Sequence, residues 1–590
     1  METLALKGFY GRTFTEEHFG ANILSTRDRL GDEGTFDEAA DYLGAGTIRY
    51  PGGSLTERYF DITDPDRIAT QHYKSGVDME LLPYSDFMDW AEETGRAVLI
   101  VLPTRTQLST ETDANGDRYA EVDEDALRDF VRDTLDGLYG QPRIAGFEIG
   151  NEYWGSGEMS SVEYGRVAST MSRIVDEELT AHPDYAELFS NTEILVQMGL
   201  NYNFASFNGR YEGTAEEQLA QFSAEYDLPL EDRYIYSSGE IAWPKIANLL
   251  IMREFDEPEE IAAVDGVVAH IYSRGEFATS SQTFELRTIA DTWGKEFDNV
   301  KPVVTEWNVK APNRDSTEDF GLVQAGQMLD MVEAMGLYEA TSAYIWAIQQ
   351  GSQSNLTGDE GQPDMKVGGE FFKMMSEALP GTRAIELEGA APRESEIALE
   401  NAEVHLFAGT ERAVFYIQST NALETHSTDV DISNLITGFD KITMTKLGVA
   451  TGDLVGSSKA TPVVTELDPN DHYDNGTISV SLNPREIVQI VIEGADFTPE
   501  MEAGLAEARA AEDWTLLGQQ FDDSSTMFRM SATDANNTPT IEQLAVQQEA
   551  AAAQAEADAM EEDSSDDGGG FGDIGIFALI LPLLAMAGAF

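Results

Sequence analysis

Between residues 18 and 380, short apolar runs alternate with longer amphipathic ones, and this alternation limits the fold more than any other feature of the chain. The strand-like runs are Phe19–Leu24, Thr47–Pro51, Ala97–Pro103, Ile144–Glu152, Ile194–Leu200, Val264–Tyr272, Pro302–Asn308 and Ala343–Ile348. Between and after them lie helix-like segments: Phe36–Leu43, Tyr84–Thr94, Glu124–Tyr139, Ser161–Leu179, Trp243–Phe255, Phe284–Phe297, Gly321–Met335 and Phe371–Leu379. A strand followed by a helix, eight times over roughly 360 residues, predicts an α/β fold of the (β/α)8, or TIM, barrel type. A doubly wound open sheet uses the same alternation. The closed barrel is preferred because it turns the acids at two strand ends toward one mouth.

Past Pro380 the texture changes. Ile397–Leu399, Val404–Phe407, Ala413–Ile417, Ile442–Lys446, Ile478–Leu482 and Ile487–Ile492 are short, often alternating, and split by Gly, Asn and Asp. They predict an antiparallel β-sandwich over residues 381–495, packed against a catalytic barrel of residues 1–380. The acidic loop Asp468–Asn475 has oxygen donors of the kind calcium takes, but a solvated turn is the plainer reading. Residues 496–570 read as an acidic low-complexity linker with only Arg509 and Arg529 as basic residues. Helical stretches are expected around Pro499–Leu517 and Ile541–Met560, with the rest mobile.

Composition narrows the function. The chain has no cysteine, so neither a disulfide framework nor a cysteine metal or redox site is available. Its net charge of −70, from 107 acidic and 37 basic residues, excludes a nucleic-acid partner, whose binding face must be basic. Such a surface suits solubility in high salt, where screening shortens to ~3 Å at 1 M. Seven histidines are scattered without metal-ligand spacing, and there is no G-x-S-x-G elbow. Gly44-Ala45-Gly46 begins a dinucleotide-like run, but Arg49 stands where its third glycine belongs. No cofactor and no metal are implied.

Two strand candidates end in an acid. The run I-A-G-F-E-I-G-N-E-Y-W closes on Asn151-Glu152 and aromatics, and K-P-V-V-T-E-W-N carries Glu306 at its end. A carboxylate at a strand end sits at the rim where substrates arrive, and two of them beside aromatic residues suggest a pair acting on a sugar. Either acid alone would ordinarily be a solvated strand end.

At these residues the chain resembles the clan A retaining glycoside hydrolases, and within them most closely the α-L-arabinofuranosidase family. The matching segments are F-T-E-E-H-F-G (Phe14–Gly20), R-Y-P-G-G (Arg49–Gly53), G-N-E-Y-W-G (Gly150–Gly155), H-I-Y (His270–Tyr272) and E-W-N-V (Glu306–Val309). The resemblance implies a barrel followed by a sandwich, a carbohydrate substrate of plant or algal origin, and double displacement. It implies Glu152 as acid/base and Glu306 as nucleophile. Such a mechanism needs a Glu152 pKa raised by burial or by a nearby negative charge. It also needs a cation to keep Glu306 ionised, and Arg49 is the natural candidate.

Further roles follow from the same resemblance. Asn151 would bind a sugar hydroxyl, although an Asn before a strand-end Glu is by itself a turn former. Tyr272 would donate its hydroxyl to Glu306, and His270, two residues back on the same face, would share that task. Glu17 corresponds to a family residue that contacts the sugar. The chain departs from the pattern at Ser54, where the family has Asn after the Gly-Gly. It departs again at A-Y-I-W-A-I-Q-Q, whose Trp346 offers a stacking face and whose Gln349 or Gln350 offers an amide. The alternative reading is a catalytically silent carbohydrate-binding surface protein on the same scaffold.

Residues 571–590 form an apolar C-terminal segment, and Ile574–Phe590 contains no charged side chain. It is short for a membrane-spanning helix, which takes ~20 residues, and has no Lys or Arg after it. Behind Gly568-Gly569-Gly570 it reads as an export or surface-anchoring signal, and so predicts an extracellular or envelope-associated enzyme. No ordinary N-terminal signal peptide is visible. The sequence implies no particular oligomeric state.

Overall fold

The computed structural model describes residues 2–512 except 10, 32–33, 231–233, 276–279, 298–299, 311–317, 350–351, 359–360, 362–363 and 392–394. The described residues belong to one compact unit. The apolar C-terminal segment, most of the acidic linker and Gln350 lie outside them.

Eight strands close into a parallel barrel in chain order. They are β1 Gly20–Asn22, β2 Thr47–Tyr50, β3 Ala97–Leu102, β4 Arg143–Ile149, β5 Glu193–Gln197, β6 Gly266–Ser273, β7 Lys301–Val309 and β8 Ala343–Ile345. Each falls within or beside a run expected from sequence. Parallel strands bury both faces, so they read as continuous apolar runs; β3, A-V-L-I-V-L, is buried at every position. Leu99, Leu195, Val268, Val303 and Tyr344, from five of the strands, fill the bore as a separate inner cluster.

The surrounding helices are α1 Phe36–Leu43, α2 Tyr84–Thr94, α3 Glu124–Leu135, α4 Ser161–Ala181, α5 Trp243–Arg253, α6 Ser280–Asp291, α7 Gly321–Leu337 and α8 Val367–Ala378. Helix α4 starts on a reciprocal cap: Ser160 Oγ accepts from Glu163 N (3.2 Å), and Glu163 Oε2 accepts from Ser160 N (2.9 Å). Helix α7 is buried almost all round, because a sandwich covers the face that a barrel helix usually turns to water.

That sandwich pairs a large antiparallel sheet with a four-stranded one around its own apolar core. Two of its parts correct the domain limits drawn from sequence. Residues Leu6–Phe9 pair with Arg383–Leu387, and Glu2–Thr3 with His426–Asp431, so these two segments are sandwich strands and not barrel. At the other end Asp496–Phe497 pairs with Ile436–Gly438. The helix Pro499–Glu512 then buries Met501 and Leu505 in the sandwich core. Residues 496–512 therefore belong to the folded unit and not to a linker. The N-terminal strands are too short for periodicity to reveal, whereas the helix expected around Pro499 is present and its docking on the sandwich is what the sequence does not show. The loop Asp468–Asn475 contains a short helix, Pro469–His472, whose N-terminus Asp468 caps by accepting from Asn470 N (3.0 Å), which accounts for its acidic start as a turn.

Candidate active site

The site is assembled at the C-terminal ends of the barrel strands around Arg49. This arginine lies in β2 and is wholly buried. A buried guanidinium is tolerated only if its donors are matched, and here all five are. Nε and one Nη2 proton make a bidentate pair with Glu148 (2.7 and 2.9 Å). The others reach Asn151 Oδ1 (2.7 Å), Asn22 Oδ1 (2.9 Å) and Glu306 Oε1 (3.0 Å). Four strand ends, β1, β2, β4 and β7, are thus tied to one planar cation, whose charge faces Glu306.

Glu306 accepts from Tyr272 on its other oxygen (2.8 Å), so both oxygens are held. A bulge puts it there. Ala269 pairs with Val304 but His270 pairs with Glu306, so β7 has one residue more than β6 at this point. Strict alternation would send Thr305 and Glu306 to opposite faces. With the extra residue both turn inward, as bulges beside functional sites often arrange.

Glu152 lies just past the end of β4, in the left-handed backbone region at φ 43°, a conformation that costs a non-glycine residue ~1–3 kcal/mol. The approach to it is constrained. Gly150 has φ 75°, and a Cβ there would stand 2.8 Å from Thr104 Oγ1. Beneath it the buried carboxylate of Glu57 accepts four hydrogen bonds: Asn151 N (2.9 Å), Thr104 N (2.9 Å), Thr104 Oγ1 (2.9 Å) and Arg105 N (2.8 Å). Glu57 clamps the ends of β3 and β4 and sets the backbone on which Glu152 is presented. Burial raises its pKa while these donors act against the rise.

His270 joins the two acids. Its Nδ1 is 3.3 Å from Glu152 Oε1 and 3.7 Å from Glu306 Oε2, and its Nε2 is 3.1 Å from Thr305 Oγ1. The Thr305 hydroxyl donates to Glu148 (3.2 Å), which leaves its oxygen to accept from Nε2. With carboxylates at Nδ1, both ring nitrogens donate and the ring is an imidazolium. Burial opposes that charge, but Glu306 and Glu152 outweigh it and push the pKa up to about 9. The consequence for Glu152 corrects the sequence expectation. Burial raises its pKa, yet the hydrogen bond and charge of His270 hold it below the usual value in the substrate-free site. The ligating atoms of Glu152, His270 and Glu306 all lie within 4.8 Å of one another. This donor set would also suit a divalent cation, although Arg49 already supplies positive charge beside Glu306.

Most residues singled out in the sequence meet here. Asn151 accepts from Arg49, and its own Nδ2 is buried without a partner among the described residues. Trp346 follows β8, and its ring lies so close to Gly53 (φ 50°) that a Cβ there would stand 2.6 Å from it. Ser54, where the family pattern has Asn, is exposed and precedes the short helix Leu55–Tyr59 that carries Glu57 inward.

Two residues are elsewhere. Glu17 sits in the turn before β1, 47 % exposed, and pairs with Arg143, the first residue of β4 (3.2 Å). It is at the opposite end of the barrel and cannot contact a sugar bound at the mouth. Gln349 is buried, and its amide nitrogen donates to Thr35 Oγ1 (2.8 Å) at the start of α1 and not to the carboxylates. Glu148, Asn22, Thr305, Gln197 and Glu57 were not anticipated. Only Glu148 left a sequence signal, a charge inside an otherwise apolar buried strand.

No family model matches the sequence, and no curated protein does. Solved structures do. A GH51 arabinofuranosidase from Xanthomonas axonopodis pv. citri is similar at 13% identity, covering 83% of this chain and 99% of its own, with a TM-score of 0.55. A family 51 alpha-L-arabinofuranosidase from Bifidobacterium longum is similar at 13% identity over 83% and 99%, with a TM-score of 0.54. For an alpha-L-arabinofuranosidase from Thermotoga maritima in complex with arabinose the values are 12%, 83%, 99% and 0.52. With its parallel barrel and appended sandwich, the chain has the clan A glycoside hydrolase fold in its arabinofuranosidase-like form.

Proposed function

We propose that the protein is a retaining glycoside hydrolase acting on plant or algal poly- or oligosaccharides, with arabinofuranosides as the first substrates to try. The observation that carries this reading is the approach of Glu152 and Glu306 to within 4.8 Å around His270. Retaining enzymes keep their carboxyl groups ~5–5.5 Å apart, and inverting ones leave ~6.5–9.5 Å for a water between them.

In this reading Glu306, oriented by Arg49 and Tyr272, attacks the anomeric carbon as the glycosidic bond breaks. The proton held between His270 and Glu152 passes to Glu152 and from it to the leaving oxygen. Glu152 then takes a proton from the water that releases the sugar from Glu306. Asn151 Nδ2, the buried donor without a partner, binds a hydroxyl next to the reacting carbon. A panel of aryl glycosides tests the reading, and arabinofuranosides decide the finer assignment. Sugar binding without turnover of any substrate would favour a silent carbohydrate-binding protein instead.

The apolar segment 574–590 enters the proposal as an export or envelope-anchoring signal. Fractionating cells that carry the full chain or a version ending at Asp567 tests it. Both versions remaining soluble in the cytoplasm would overturn it.

A further inference from the structure

In a chain with a large excess of acids, most described arginines have a carboxylate beside them. Arg105 pairs with Glu158, Arg118 with Glu163, and Arg166 with Asp113 and Glu254. Arg274 is different. It directly follows β6, two residues after Tyr272 and four after His270, so strand alternation places it on the same inward face. Its side chain is half-buried, and among the described residues nothing hydrogen-bonds or ion-pairs with its guanidinium. Its backbone N–H alone is engaged, by Ser281 Oγ (3.1 Å). Glu285 is the nearest acid acting on it, but that carboxylate accepts from His270 N (2.8 Å). Burial lowers the pKa of Arg274 and Glu285 offsets this only in part, so its charge is held at a cost.

A second cation stands beside it. Tyr272 pairs with Asn308 and Ser273 with Val309, and Lys310 N donates to Ser273 O (2.8 Å). Lys310 is therefore the neighbour of Arg274 across β6 and β7, and on β7 it shares the inward face of Glu306 and Asn308. Its Nζ is 5.6 Å from the centre of the Tyr272 ring, and its charge is felt at Glu152. Lys310 thus stands over the tyrosine that orients Glu306, and Arg274 follows that tyrosine by two residues, at the rim of a molecule whose net charge of −70 repels anions from a distance. Two adjacent full charges match an anion better than a neutral hydroxyl.

Resting on the glycosidase reading above, we propose that the substrate is an anionic glycan whose carboxylate or sulfate, on the sugar at or next to the cleaved bond, is seated by Arg274 and Lys310. Arginine would clamp the flat anion through paired N–H donors, and lysine would add a point charge.

The test uses the full chain carrying Glu306→Gln, which removes turnover, and calorimetric titration with four probes. These are neutral xylo-oligosaccharides, the same chains bearing glucuronate, oligogalacturonides, and sulfated galacto-oligosaccharides. At least one acidic probe should bind about tenfold or more tighter than its neutral parent. Preference for uronate or for sulfate then identifies the anion. Adding Arg274→Gln or Lys310→Gln should abolish that preference, and Arg274→Lys should restore part of it. Equal binding of acidic and neutral chains, or an equal loss of both in Arg274→Gln, would overturn the proposal. If the unsubstituted enzyme cleaves neutral glycosides and ignores acidic ones, the glycosidase reading stands and this one falls. If no glycan is bound or cleaved, both fall.

Discussion

Glu152, His270 and Glu306 at the barrel mouth, and Asp330, Glu333 and His405 at the seam with the sandwich, are both triplets whose ligating atoms lie within 4.8 Å of one another. In each a buried histidine is made basic by carboxylates. His405 lies 2.9 Å from Glu333, and its pKa is pushed up to about 10 against its burial. The surroundings differ. At the seam, α7 and the strand Ala402–Ala408 enclose the pair, Ser395 donates to Glu333 (2.6 Å), and His405 Nε2 is buried without a partner. At the mouth an arginine fixes one acid and a strained backbone presents the other. Residue types and spacing are therefore poor guides to chemistry. Backbone strain at one acid and an arginine with all its donors matched set the cluster at the mouth apart from the one at the seam.

Breaking each triplet should separate the two most sharply. Glu306→Ala should lower kcat by about 10⁴-fold or more, the scale of loss when one member of a unit is removed. Azide should rescue it with inverted product. Glu152→Ala should cost about 10²–10⁴-fold on poor leaving groups and far less on activated aryl glycosides. Equal, unrescuable losses in both variants would remove the assignment of roles. At the seam, His405→Asn should leave activity per folded molecule unchanged but cost about 3–5 kcal/mol of stability, as removal of one partner of a buried pair does. Denaturant unfolding measures it.

A subtler break concerns Glu57. In Glu57→Gln an amide NH₂ must face backbone N–H donors, and the support of Glu152 loosens. The expected loss is about 10–100-fold in kcat with a small change in KM. It should be larger for poor leaving groups than for good ones. A uniform loss across leaving groups would mean that Glu57 is only structural.

The smallest effects are those of pH, and they too differ between the clusters. The proton shared by His270 and Glu152 is retained below about pH 9, so activity should fall as pH rises through that value, and His270→Asn should move or abolish the fall. His405 has its pKa raised to about 10, against ~6.5 in the unfolded chain. Its contribution to stability is therefore complete below pH ~6.5 and lost progressively up to about pH 10. Melting temperature should decline over that window, and less so in His405→Asn.

How much of this the sequence revealed depended on whether a feature was local. The eight strand runs could be read because buried parallel strands must be continuously apolar, as in β3. Glu152, Glu306 and Arg49 could be read because strand ends and the R-Y-P-G-G turn are local. Glu57 could not, since its meaning lies in Thr104, Arg105 and Asn151, 47 to 94 residues away. The inward turn of Thr305 beside Glu306 depends on a bulge that periodicity does not register. Glu17 precedes its strand, so the motif that contains it lies at the end of the barrel away from the carboxylates. The charge of Glu148 inside an apolar strand was visible and implied a buried partner.

The pairing of Leu6–Phe9 with Arg383–Leu387 also bears on how the protein is made. During synthesis this strand emerges ahead of the barrel, and its partner Arg383–Leu387 follows more than 370 residues later. In that interval the early part of the barrel trails an open β-edge, the kind of edge that recruits other chains. The helix Pro499–Glu512 comes last and packs over Phe9, leaving no room for a side chain on Gly504. Strand Leu6–Phe9 and helix Pro499–Glu512 thus meet, and the sandwich is completed only after the barrel has been synthesised.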